Sequence, residues 1–358
     1  MNALRLAYVL NVFPKISETF IAHELAELRR RDIPLRVMSL RRPNEALRHE
    51  LIAKSGLDAL TSYDTGDFLL KLREFRPHLL HAHFATEPAG AARALAAELA
   101  IPFTFTAHGY DIRRKPPADF GQRAAAAGRV VTVSQANARY IHQAFGVPLE
   151  HLRVIPCGVD TEVFRPSAGS DTEPVEPVLP LLVCVARLVK VKNLGLLLRA
   201  CGLLRDRGIR FRTVCIGEGP MRAELETLQR ELRLENAFEF VGALEHRDVL
   251  RWWQRASIAL LSSEHEGMPV CLMEAAACGL PAVATAVGGV PEVIEHEVTG
   301  LITPAGDVVG FANALQTLLE DRARARVMGA AARRRAQASF TLARQVDDLL
   351  ALWREVLP

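Results

Sequence analysis

Along most of this chain, short apolar runs alternate with longer stretches of helical periodicity. In the first half, LRLAYVL, PLRVMSL, HLLHAHF, PFTFTA, RVVTVS and LRVIP read as buried β-strands bounded by turn residues. Between them, SETFIAHELAELRRR and TEPAGAARALAAELA place apolar residues at helical spacing. Alternating strand and helix units predict a parallel sheet covered on both faces, which is why its strands can be apolar throughout. The pattern then breaks. PCGVDTEVFRPSAGSDTEPVEPVLP has five prolines, several acids and few long aliphatics, and predicts a linker over 156–178. Alternation resumes with LLVCVARL, RFRTVCIG, FEFVG, SIALLSS, PAVAT and GLIT as strands, and LARQVDDLLALWREVL predicts a terminal helix. The expected fold is α/β, with two doubly wound Rossmann-like domains, 1–165 and 166–339, facing a central cleft. The helix 340–358 is expected to pack back on the first domain.

Composition narrows the class. A length of 358 residues with 49% apolar and 24% charged content fits a globular protein with two cores. No apolar run approaches the roughly 20 residues that span a bilayer. The opening MNALRLAYVL lacks a small-residue cleavage site and reads as a first strand, not a signal peptide. Six scattered cysteines without a C-x-x-C pair suggest a reduced, cytoplasmic protein with no zinc site. Residues 1–165 carry 22 Lys/Arg against 17 Asp/Glu, a net of +5 in a chain whose total is +3. This excess suggests peripheral contact with the cytoplasmic face of a membrane, or is ordinary scatter. No basic stripe interleaved with aromatics supports nucleic-acid binding.

Candidate chemistry concentrates in SSEHEGMPVCLMEAAACGLPAVATAVGGVPEVIE, Ser262–Glu295. A strand ends at Ser262 and Ser263, EHEG forms a loop, and Pro269 suits the first turn of a helix. VCLMEAAACG is that helix, closed by Gly279. Glu266 then lies just ahead of the helix N-terminus and Glu274 about a turn and a half inside it. Unpaired N–H groups at a helix start favour a phosphate, and carboxylates on either side could accept hydrogen bonds from hydroxyls. A nucleotide-sugar, with ribose, diphosphate and sugar in line, has that layout. The bland alternative is a loop acid and a solvated helix acid.

EGMPVCLMEAAACGLPAVATAVGGVPEVIEHEVTGLITPAGD resembles the C-terminal signature of the retaining glycosyltransferases of family 4, which have the GT-B fold. VARLVKVKNLGLLLRA, CIGEGPMRAELE, FVGALEHRDVLRWWQRASIALLSS, TAHGYDI, VVTVSQANARYI and RVIPCGVDTEVFRP extend the resemblance over nearly the whole chain. It implies transfer of a hexose from a UDP- or GDP-sugar donor to a glycan acceptor, carried on a lipid, in polysaccharide synthesis. No cofactor is implied. The resemblance assigns sugar hydroxyls to Glu266, ribose hydroxyls to Glu274, and the sugar or diphosphate to backbone around Gly267, Met268 and Val270. Arg187, ending a strand, and Lys192, opening the next helix, would stabilise the leaving phosphate in place of a metal. Lys190 competes for that role, but "KN" at Lys192–Asn193 stands where the family has "KG". Gly217 and Gly219 in GEGP would lie beside the nucleotide, although a tight turn needs glycine anyway. His108 in TAHGYDI would face the transferred sugar, the alternative being a satisfied buried histidine.

Two segments depart from the family or stand outside it. NVFPKISETFI replaces the usual glycine-rich loop and resembles a subgroup linked to exopolysaccharide and colanic-acid-type synthesis. Lys15 could supply charge there, with Ser17 and Glu18 on the acceptor side, and Ser17 or Thr19 capping the helix. His81 and His83 are expected on opposite faces of their strand, which disfavours metal binding by the pair. Competing readings are a phosphorylase or nucleotide-sugar epimerase on the same fold, or a non-catalytic partner subunit. The retention of Arg187, Lys192, Glu266 and Glu274 argues against the last.

Overall fold

The computed structural model describes residues 4–44, 50–167 and 179–357. The linker expected at 156–178 therefore lies partly outside the described residues. The chain divides into two units: 1–158 together with 342–358, and 159–341.

The first unit holds a seven-stranded sheet of β1 (Leu6–Val12), β2 (Leu35–Arg41), β3 (Thr61–Ser62), β4 (Leu79–His83), β5 (Phe103–Ala107), β6 (Arg129–Thr132) and β7 (Leu152–Val154). The order is β3-β2-β1-β4-β5-β6-β7, and every pairing is parallel. The second unit holds β8 (Leu181–Val185), β9 (Arg212–Ile216), β10 (Phe238–Gly242), β11 (Ile258–Leu261), β12 (Ala282–Thr285) and β13 (Gly300–Thr303), in the order β10-β9-β8-β11-β12-β13, again all parallel. Both orders reverse direction once, between β1 and β4 and between β8 and β11. Ligands of such sheets sit at the carboxyl ends of the strands flanking that point, where diverging loops leave a crevice.

The twelve strands expected from apolar runs are all present; β3 was not expected. It is a two-residue edge strand, Thr61–Ser62, only half-buried, so it has no apolar run to mark it. Central strands are buried along their whole length, as β4, β5 and β11 are, because helices cover both faces.

The C-terminal helix Leu342–Val356 belongs to the first unit. Its Val346, Leu349 and Trp353 join a core formed by Leu6, Tyr8 and Leu10 of β1 with Ile21, Leu25 and Leu28 of the helix Thr19–Arg30. Trp353 is fully buried and donates its indole N–H to Thr104 Oγ1 at 3.2 Å. The chain leaves the first unit after Gly158, short of the expected 165. Val159 already pairs with Phe340 and Thr341 of the second unit, and the Phe164 ring meets His246 there in a tilted contact, with centroids 4.7 Å apart.

Candidate active site

In the second unit, the residues singled out from the sequence flank the reversal point. The loop after β8 carries Arg187 and Lys192, and the loop after β11 carries Ser262 to Glu266. Lys192 closes a 3-10 turn, Lys190–Lys192, and Asn193 follows with φ 42°, a left-handed conformation. Asparagine and glycine both tolerate that conformation, which accounts for "KN" where the family has "KG". Asn193 also accepts from Leu196 N–H at 3.3 Å, starting the helix Leu194–Asp206.

Lys192 Nζ donates to Glu266 Oε1 at 2.6 Å, and Ser263 Oγ donates to the same oxygen at 2.5 Å. The two side chains of the ion pair are 18% and 10% exposed. Burial alone would lower the ammonium pKa, but the Glu266 carboxylate outweighs it and holds Lys192 above the usual lysine range. Glu266 Oε2 has no partner among the described residues. Arg187 is exposed and its side chain is likewise unpaired among them, whereas Lys190 is exposed and does not touch Glu266.

The helix Val270–Ala277 starts at Pro269, which is its N-cap residue and so lies one position outside the expected first turn. The backbone N–H groups of Gly267, Met268, Val270 and Cys271 donate to nothing among the described residues. Successive free donors at a helix start form an anion site. Glu274 lies inside this helix, 5% exposed. Its Oε1 accepts from His246 Nε2 at 2.6 Å and its Oε2 from Trp253 Nε1 at 3.4 Å. Burial would lower the His246 pKa, but the Glu274 carboxylate raises it above the ordinary value. Sequence reasoning missed His246 and Trp253; both lie on the helix His246–Trp253, far from Glu274 in sequence.

The glycines of GEGP are required by close backbone approach. A Cβ on Gly217 would lie 2.0 Å from Ala186 O, and one on Gly219 would lie 2.4 Å from Leu188 O. Leu188 N–H in turn donates to Glu218 O at 2.9 Å, so the two loops lock together. Gly288, with φ +51°, does the same for Glu266: a Cβ there would meet Glu266 O at 1.8 Å. A separate surface groove beside β10 is lined by Arg212, Arg222, Glu226 and Glu239, whose charges pair with one another. It lies at the far edge of the sheet, away from the reversal point.

In the first unit, His108 follows β5 and is half-buried. Asp111, fully buried, accepts backbone N–H bonds from Ala85 (2.8 Å), His108 (3.0 Å) and Gly109 (2.9 Å), which fixes the turn that carries His108. An acid two residues after HG, where a turn leaves several N–H groups unpaired, was the available signal for Asp111. His108 Nε2 meets His83 Nδ1 at 2.9 Å, and His83 Nε2 meets Glu24 Oε1 at 3.1 Å.

His81 and His83 therefore share a face, contrary to the sequence expectation. Residues two apart on a strand point the same way, and their rings are 5.1 Å apart. Glu24, His81 and His83 offer ligand atoms within 4.8 Å of one another. Every ring nitrogen there is already hydrogen-bonded, with His81 held by Thr104 (2.8 Å) and Thr106 (3.0 Å), so the cluster reads as a polar network. Burial, then the neighbouring histidines, push the His81 pKa well below its usual value.

One expectation for this segment needs correction. Glu18, not Ser17 or Thr19, is the N-cap of the helix Thr19–Arg30, and it makes no side-chain cap bond. Its carboxylate instead holds Lys15 Nζ at 2.6 Å, so Lys15 is a paired cation.

A sequence profile described as Glycosyltransferase Family 4 matches residues 17–163, and one described as Glycosyl transferases group 1 matches 173–335. The chain belongs to glycosyltransferase family 4. It is 34% identical over 203 residues to the amylovoran biosynthesis glycosyltransferase AmsK of Erwinia amylovora, covering 55% of this chain and 49% of that protein. It is 32% identical over 257 residues to WcaL of Escherichia coli K12, assigned to colanic acid biosynthesis, covering 67% of this chain and 61% of that one. The chain thus spans about half to three fifths of the length of these relatives. Among solved structures, Anabaena HepE in complex with UDP and glucose superposes with a TM-score of 0.82 at 18% identity, covering 98% of this chain and 100% of that one. At that identity the likeness shows the GT-B fold. Among the described residues, no helix is long and apolar enough to cross a membrane.

Proposed function

We propose that this family 4 member transfers a hexose from a nucleoside-diphosphate sugar to a hydroxyl of a glycan acceptor, with retention, in the synthesis of a polysaccharide. The observation that carries the reading is the run of free N–H groups at Gly267, Met268, Val270 and Cys271, flanked by Glu266 and Glu274 at the reversal point of the second sheet. The diphosphate occupies those donors. Glu266 Oε2 takes sugar hydroxyls, while Oε1 stays with Lys192 and Ser263. Each Glu274 oxygen keeps a lone pair beyond those facing His246 and Trp253, enough to accept the ribose hydroxyls. Arg187 and Lys192 balance charge on the leaving phosphate, so the reaction proceeds without a metal. The leaving phosphate itself helps take the acceptor proton. The polysaccharide role draws support from AmsK and WcaL, and a lipid-carried acceptor fits the basic excess of residues 1–165.

The test is calorimetric binding of UDP, GDP and ADP and their hexose derivatives, followed by transfer assays with the nucleotide that binds. Glu274→Gln should weaken the bare nucleotide by about 1–3 kcal/mol. Glu266→Gln should leave bare-nucleotide binding intact and lower transfer. Absence of binding by all three nucleotides overturns the donor assignment, and equal weakening in both variants overturns the roles of the two acids.

A further inference from the structure

We infer that Glu24 and His83 are positioning residues that set the tautomer of His108, leaving its Nδ1 as an outward-facing acceptor for a substrate hydroxyl. The inference rests on the family resemblance, by which His108 would face the transferred sugar. It follows from donor and acceptor accounting along one chain of hydrogen bonds.

The chain starts at Gly158. Its backbone N–H donates to Gln345 Oε1 at 2.6 Å, so the amide nitrogen of Gln345 must face the other way. That nitrogen donates to Glu24 Oε2 at 2.6 Å. Tyr8 donates its hydroxyl to Glu24 Oε1 at 2.6 Å. Burial first, and the Glu24 carboxylate next, push the Tyr8 pKa well above its usual value, so it stays a donor. A carboxylate only accepts, so His83 must offer it Nε2–H. If His83 carries that proton alone, its Nδ1 is a lone pair, and the contact at 2.9 Å requires His108 to bear its proton on Nε2. His108 Nδ1 is left as an acceptor, with no partner among the described residues. Burial, then His83, hold the His108 pKa well below the usual range, which keeps that lone pair available.

Glu24 and His83 are each 1% exposed, so no solvent competes for these protons. A fully satisfied buried network of this kind fixes one arrangement of protons. The chemical consequence concerns the sugar. A hydroxyl that donates to His108 Nδ1 becomes richer in electron density at its oxygen, which favours positive charge developing at a nearby anomeric carbon. A His108 carrying Nδ1–H would donate to that hydroxyl instead and do the reverse.

Glu24→Gln is the discriminating change. Gln345, held by Gly158, still presents N–H, so the new amide must keep its oxygen at the Oε2 position and put NH2 toward His83. His83 Nε2 then becomes an acceptor and both histidine tautomers reverse, with side-chain volume unchanged. Tyr8→Phe removes one donor to the carboxylate without altering its role, so the tautomers stay as they are.

The experiment is long-range proton–nitrogen correlation NMR on the full chain labelled with ¹⁵N-histidine, with His108 assigned by its loss in His108→Gln. We expect Nε2–H on His108 in the wild type and in Tyr8→Phe, and Nδ1–H in Glu24→Gln. Turnover in Glu24→Gln should fall roughly 10–100-fold, as for other groups that orient a functional imidazole, with little change in KM. Nδ1–H in the wild type overturns the inference without any variant, so a misfolded Glu24→Gln does not shelter it. An unchanged tautomer in a folded Glu24→Gln also overturns it. The spectra need no substrate: failure of all transfer activity would sink the proposed function and leave the tautomer standing. A reversed tautomer with transfer intact would sink only this inference.

Discussion

Lys192 and Glu266 should be energetically coupled, and a double-mutant cycle can measure by how much. At 2.6 Å the pair has about 6 kcal/mol of gross attraction at an effective dielectric of about 20. Desolvation of two ions offsets most of this, so the intact pair adds little net stability. Removing one partner is different, because the attraction is lost while the other ion stays buried. For buried pairs that costs about 3–5 kcal/mol. With Lys192 still 18% exposed, we expect the lower end, about 3 kcal/mol, for Lys192→Met or Glu266→Gln. For a unit the size of Val159–Thr341, this is a drop in Tm of about 6–12 °C.

Lys192→Met/Glu266→Gln should recover much of that loss, because a buried pair exchanged for uncharged groups of similar volume is close to neutral. The coupling should exceed about 2 kcal/mol, by thermal or denaturant unfolding, while transfer activity stays low in all three variants. Additivity of the two single changes within about 0.5 kcal/mol would refute the reasoning.

Three further outcomes are expected. Arg187→Ala should lower turnover about 10²–10³-fold with a stability change within about 0.5 kcal/mol, because the side chain is exposed and unpaired among the described residues; a turnover assay with a parallel melt checks both. His246 has its folded pKa raised by Glu274, so its contribution is fully present below the ordinary imidazole value of 6.5 and is lost as pH rises through the folded value. The Tm advantage of the wild type over His246→Gln should therefore shrink as melts are repeated from pH 6 upward. Gly288→Ala should destabilise the second unit by more than about 1 kcal/mol and abolish transfer, since the new methyl meets Glu266 O and φ is positive; a melt within 1 °C of wild type would contradict this.

What could be read from the sequence was what a local pattern controls. Strands buried on both faces leave continuous apolar runs, so β1, β4 and β8 were visible, while the half-buried edge strand β3 left no run at all. Glu266 and Glu274 were found because a helix start makes chemical sense of the acids around it. The partners of Glu274 were not. His246 and Trp253 reach Glu274 across 28 and 21 residues of sequence, and no spacing rule connects them.

The first unit shows the same limit more sharply. Glu24 lies on an amphipathic helix and looks like an ordinary helix acid, yet it is 1% exposed. Its partners come from β1, β4 and, across 321 residues, the C-terminal helix. HAHF was misread because its two histidines were judged as neighbours on a strand when they are two apart. Once both are placed on one face, the distance from His83 to His108 follows from the register of β4 against β5, which sets His83 opposite Thr106, two residues before His108. The polar core under His108 is thus a product of sheet register and of the returning C-terminal helix, which is why it belongs to the fold and not to any motif.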